Sequence, residues 1–214
     1  MPQLPPFQTW FVELIGIVSN MLVGIAAVIG IMGLWRWRTE LEGKTRFEVA
    51  RKLSLLALQF QRQVQLVRAG FLRGWESIER KPQGNETLLT ATIFDEWYVR
   101  QKRFEPLGRI MTEMEQASAE AELLIGDIEP LIRPFREAYS ELEDAIHTHF
   151  SDKTAQSAAP NSTARKDSRK QSKATDEIVH SHAEDKFAEK VDAAVTNLRS
   201  CMEKSYKSRA LFFW

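Results

Sequence analysis

The 214-residue sequence has a single cysteine, Cys201. An intramolecular disulfide is therefore excluded, as is a zinc site built of cysteines alone within one chain. One thiol fits a reducing compartment. Lysine and arginine are missing from the start of the chain, where Arg36 is the first positive charge. A secretory signal peptide needs a basic start before an apolar run of about 7–15 residues, so cleavage is not expected. There is no phosphate-cradling glycine loop, no G-x-S-x-G, no H-E-x-x-H, no paired zinc ligands and no aromatic-plus-basic nucleic-acid motif. No residue can be nominated as catalytic and no cofactor is implied, so the expectation is a protein that is not an enzyme and does not bind nucleic acid.

A charge of either sign is also missing from Leu14 to Trp35, which reads LIGIVSNMLVGIAAVIGIMGLW, with only Ser19 and Asn20 clearly polar. As a helix this stretch is about 33 Å long, enough to cross a hydrocarbon core of about 30 Å. Trp10 precedes it, and Trp35 and Trp37 close it, as expected of rings that favour the headgroup layer. Leu14, Trp35, Arg36, Trp37 and Arg38 thus mark the anchor. Residues 1–13 hold no lysine or arginine, whereas Arg36, Arg38, Lys44, Arg46, Arg51 and Lys52 follow the span. The basic side stays in the cytoplasm, which predicts a single-pass inner (plasma) membrane protein with a short external N-terminus. Gly16, Asn20, Gly24 and Ala27 share one face, where small side chains and an amide suit close helix–helix packing in lipid.

The formal net charge of zero conceals an asymmetry. From Arg36 to Lys81 there are eleven Lys/Arg against five Asp/Glu; from Glu105 to Phe150 there are three against eleven. Two helices that complement each other on packing explain this, and so does a basic face for lipid with an acidic face for a partner. Thr39 to about Arg80 is expected to be one long helix. Ala50, Leu53, Ala57, Phe60, Val64, Val67 and Phe71 alternate spacings of three and four, a coiled-coil type seam that Leu55, Leu56 and Leu66 widen. Pro82 and Gly84-Asn85 make a turn. Thr87 to about Arg103 returns with Leu88, Leu89, Ile93, Trp97 and Arg100 inward, and Pro106 predicts a break at Phe104–Glu105. Leu107, Met111, Met114, Ser118, Ala121 and Ile125 continue the seam. Gly126-Asp127 is a stop and restart, with the next helix beginning properly at Arg133 and carried by Phe135, Tyr139, Leu142 and Ile146 to Phe150.

Residues 151–175 hold no large apolar side chain and six Lys/Arg against two Asp, which predicts a flexible basic linker. Residues 176–206 read as a last amphipathic helix with Phe187, Val191, Ala194, Leu198 and Cys201 inward, and 207–214 as an aromatic tail. The fold class is therefore all-α: a transmembrane helix over 14–35, then an antiparallel helical bundle over 36–150 with coiled-coil-like packing.

The four histidines form two H-x-H pairs, His147/His149 and His180/His182. On a helix the two members of a pair point about 200° apart, which argues against both binding one ion. Glu177-Ile-Val-His180 is one copy of the Glu-x-x-His spacing used in di-metal bundles, without a second. The sequence alone assigns no metal ligand.

These observations make the bilayer one partner, and a protein or a second copy of the chain the other. The first functional expectation is a membrane-anchored interaction or scaffold protein, with the seam and the acidic residues Glu113, Glu120, Glu137 and Glu141 as contact surface. The second is a membrane-perturbing effector whose anchors oligomerise under control of the helical domain. The third is a helical metal-binding protein using the regions of His147 and His180.

Overall fold

A computed structural model of the chain describes residues 6–70, 75–82, 84, 86–158, 175–180 and 185–210, with the side chains of 6–15, 156, 158 and 206–210 excepted. Among them there is no strand. The helices are α1 (Pro6–Arg68), α2 (Leu88–Leu124), α3 (Glu129–Ala158), a short α4 over 175–179, and α5 (Lys186–Ala210). The chain divides into two compact units, Met1–Thr45 and Arg46–Trp214.

The first unit contains the one described helical stretch that is long and apolar enough to cross a membrane. None of its apolar window is buried by the rest of the chain. Ile31 and Leu34 are about two-thirds exposed and Trp35 is 75 % exposed.

In the second unit, the remainder of α1 packs with α2, α3 and α5 as an up-down-up-down four-helix bundle. Four sets of contacts fix the directions. Lys52 meets Glu120, and Gln63 donates to the Arg103 carbonyl, so α1 and α2 run oppositely. Arg136 meets Glu115 while Phe150 stacks on Trp97, which opposes α2 and α3. Lys190 meets Glu141, setting α5 beside α3, and Gln61 donates to Asp192 while Arg68 pairs with Asp185 just ahead of α5, which opposes α5 and α1. Apolar stripes drive this packing, since each helix can bury its stripe only against the other three, and the short turn at Gly126 sets α2 and α3 antiparallel. Phe60 and Phe135 meet edge to face across the centre at 5.3 Å.

The α1 seam is the core. Ala50, Leu53, Ala57, Phe60, Val64 and Val67 are all at most 2 % exposed, so these residues face the chain's own bundle and are unavailable to a partner. Phe71 lies outside the described residues. Leu55 and Leu66 do not widen the seam: they are about half exposed, and only Leu56 is buried. In α2 the seam passes through Leu107, Met111, Met114, Ala117 and Ala121, with Ala117 in the place expected of Ser118.

Several boundaries differ from expectation. The helix predicted to reach Arg80 ends at Arg68, because two arginines of α2 take its last carbonyls: Arg103 donates to Leu66 O and Ala69 O, and Arg100 to Val67 O. Thr87 starts α2 through a reciprocal cap with Thr90. No break occurs at Phe104–Glu105; α2 runs through Pro106, and the carbonyl that this proline cannot bond belongs to the exposed Lys102. Leu88 and Leu89 are exposed, whereas Arg100 is buried. Gly126 turns the chain at φ +118°, and Asp127 Oδ1 accepts the Glu129 amide, so α3 starts at Glu129, four residues ahead of Arg133, with Pro130 in its first turn. Its C-terminal end continues to Ala158, eight residues into the expected linker; residues 159–174 lie outside the description. The expected helix over 176–206 is two, α4 and α5. In α5, Met202 takes the buried position predicted for Cys201, which is only partly covered. The tail residues 211–214 lie outside the description.

Candidate functional site

One end of the bundle departs from an apolar core. Where α1 ends, α2 begins, α3 finishes and α4 docks, four charged or polar side chains are buried: Arg68, Arg100, Arg103 and His149. Each arginine is fully engaged. Arg68 donates to the carbonyls of Glu177, Ile178 and His180, at 2.6–3.0 Å, and pairs with Asp185 at 2.7 Å. It thereby holds the C-terminal carbonyls of α4, the electronegative end of that short helix. Arg100 donates to Val67 O and Val179 O and contacts Glu96 and His180. Arg103 pairs with Glu76. Buried guanidinium groups of this kind persist only when every N–H finds an acceptor, and here backbone carbonyls supply most of them.

Within this layer Glu96 of α2, His149 of α3 and His180 at the end of α4 converge. One ligand-capable atom from each lies within 4.8 Å of the others. The convergence takes one histidine from each H-x-H pair, as the 200° separation within a pair requires. His147 is not among them; its ring packs on Trp97 at 5.1 Å. The sequence pointed to the regions around His147 and His180, and the residue that joins His180 is His149. The missed partner, Glu96, lies about fifty residues before His149 with no local motif. Its only sequence signal is Arg100 one turn later on the face turned inward.

The His180 tautomer follows from its contacts. Arginine has only donors, so His180 Nδ1, 3.1 Å from Arg100 Nη2, is an acceptor and the proton sits on Nε2. That Nε2 faces Asp176 Oδ1 at 3.6 Å, and His149 Nδ1 faces the same oxygen at 3.6 Å. His149 Nε2 is buried without a hydrogen-bond partner. Burial, reinforced by Lys153 and His180, pushes the His149 imidazole down to about 4, and burial together with Arg100 lowers His180. Both rings are therefore neutral near pH 7. Burial acts to raise the Glu96 carboxyl, but Lys153 at 3.0 Å and Arg100 outweigh it and hold the group below its ordinary value. The layer thus presents two neutral imidazoles and one ionised carboxylate, a donor set suited to a divalent transition metal.

Beside it, an open groove of about 520 Å³ runs between α2 and α3, lined by Ile93, Phe94, Trp97, His147, Phe150 and Thr154. The acidic residues expected as a contact face are largely used within the chain: Glu120 pairs with Lys52, Glu137 with Arg133 and Glu141 with Lys190. Glu113 is exposed.

No protein-family model matches the chain, and neither a curated protein nor a solved structure matches it.

Proposed function

We propose that this is a single-pass membrane protein in which residues 14–35 lie in the bilayer and a cytoplasmic four-helix bundle is tethered there to engage a protein partner or a second copy of the chain. The observation that carries this reading is a contrast along one helix. From Ala50 to Val67 the seam positions of α1 are covered by the bundle, while from Ile17 to Leu34 the large apolar side chains stand open, with Ile31 at 67 % exposure. An apolar surface of that length left open in water is strongly unfavourable, and hydrocarbon is the solvent that relieves it. The Trp35, Trp37, Arg36 and Arg38 border supports an interface at that end, and the excess of arginine and lysine just beyond supports a cytoplasmic bundle. The mechanism is local concentration: a partner bound by a tethered bundle meets membrane targets as if they were linked to it.

The test is membrane fractionation of the full chain and of a variant lacking residues 1–38, with a topology reporter fused after Trp214. The full chain should resist alkaline carbonate extraction and its reporter should be cytoplasmic; the shortened chain should be soluble and retain the helical circular dichroism of the bundle. A full chain extracted by carbonate, or a reporter on the outer side, would overturn the reading.

A further inference from the structure

We propose that Glu96, His149 and His180 form a binding site for one zinc-class divalent ion, which staples α2, α3 and α4 together at the polar end of the bundle. The proposal concerns the bundle alone and stands independently of membrane anchoring.

Three observations carry it. First, the three ligand-capable atoms lie within 4.8 Å of one another, so there is a point within about 2.8 Å of all three. Zn–N and Zn–O bonds of about 2.0–2.2 Å are then reached by inward movements of well under 1 Å per side chain. Second, a positive group already occupies the space between two of the ligands. Arg100 Nη2 lies 3.1 Å from His180 Nδ1 and 3.3 Å from Glu96 Oε1. An ion there must displace the Nη2 corner of this rigid guanidinium, which the Nη1 bonds to Val67 O and Val179 O otherwise hold in place. Third, the guanidinium satisfies His180 and Glu96 but not His149, whose Nε2 is left buried and unpaired in a residue only 5 % exposed. Such an orphaned polar atom costs about 1–3 kcal/mol unless something pairs with it.

The surroundings fit the same ligand. Asp176 Oδ1 lies 3.6 Å from both His149 Nδ1 and His180 Nε2, close enough to become the outer carboxylate of a carboxylate–histidine arrangement once the rings shift inward. Besides Arg100, the competing cation is Lys153, whose ammonium is 3.0 Å from Glu96 Oε2 and whose side chain is partly exposed, so it can swing to water. Two histidines and one carboxylate leave a fourth position of a tetrahedral ion for water.

The experiment uses the full chain, purified in mild detergent and stripped with a chelator, then titrated with Co2+ followed by visible absorption and with Zn2+ followed by calorimetry. One equivalent should bind with the intense d–d bands of low-coordinate Co2+, and Zn2+ should raise the thermal midpoint. Glu96→Gln, His149→Gln and His180→Gln should each weaken binding at least tenfold, with folding verified by circular dichroism, while His147→Gln should bind as the parent does. Lys153→Met keeps all three ligands and frees Glu96, and should tighten Zn2+ severalfold. Absence of a saturable equivalent, equal loss on His147→Gln, or undiminished binding by His149→Gln and His180→Gln would overturn the site. Unchanged or weaker affinity in a folded Lys153→Met chain would remove Glu96 from it.

Discussion

Arg100 Nη2 donates to His180 Nδ1 at 3.1 Å, and this bond joins α2 to a segment eighty residues later in the chain. The same guanidinium reaches Val67 O and Val179 O from a side chain that is 1 % exposed. Replacing it with Met keeps the volume but abandons two backbone carbonyls, an imidazole lone pair and part of the charge balance of Glu96. Removing one partner from a buried network of this kind costs about 3–5 kcal/mol. Arg100→Met should therefore lower the denaturant midpoint of the bundle well below that of the parent, as measured by chemical unfolding followed by circular dichroism. A midpoint within error of the parent would show that the network contributes little.

The buried imidazoles make stability depend on pH. His149 is held at about 4 in the folded chain by burial, with the ordinary value near 6.5 recovered on unfolding. The unfolded chain binds more protons between these values, so stability is complete above about pH 6.5 and is lost as the pH falls towards 4. The full shift corresponds to about 3 kcal/mol, and His180, lowered in the same direction, adds to it. The thermal midpoint should drop between pH 7 and pH 5, and His149→Gln should flatten the profile. A profile that is flat in the parent chain would contradict the assignment of neutral rings.

Two glycines should respond oppositely to alanine. Gly126 sits at φ +118° in the turn between α2 and α3, where a Cβ is strained whatever the space around it. Gly126→Ala should destabilise by about 1–2 kcal/mol. Gly108 lies inside α2, and a Cβ there would meet only the hydroxyl end of Tyr139, at 3.4 Å. Gly108→Ala should gain up to about 1 kcal/mol of helix propensity. Paired urea titrations read both signs in one experiment.

The α1 stripe allows a sharper contrast. Phe60 is fully buried against Phe135, and Leu55, five residues earlier, is about half exposed. Phe60→Ala should cost about 3–5 kcal/mol by loss of burial and creation of a cavity. Leu55→Ala should stay within about 0.5 kcal/mol, as surface changes do. Equal costs would mean that Leu55 is covered in the working protein by a surface from outside the chain.

What could be read in advance follows from the range of the forces involved. Local periodicity located the α1 seam from Ala50 to Val67 residue by residue, because burying an apolar stripe is a property of one helix and its spacing. Composition and length found the apolar run over 14–35 for the same reason. Helix ends were misread where a remote group decided them. Arg68 ends α1 because Arg100 and Arg103 cap the final carbonyls from thirty residues away, and nothing around residues 68–80 encodes that. In the sequence Pro106 signals a break, yet the lost bond falls on the exposed Lys102 carbonyl, which water can satisfy at little cost. The site was the least legible part. Helical geometry excluded both members of one H-x-H pair from one ion, but pairing His149 with His180, and both with Glu96, required the folded order of four helices.

The C-terminal helices are seated by what they touch. Arg68 grips the end of α4, Gln61 reaches Asp192, and Glu141 holds Lys190. None of these bonds depends on an unbroken peptide path from α3 to α4. A chain cut once between residues 158 and 175 should remain one particle, and a separate peptide spanning 175–210 should find its place on a chain that lacks it.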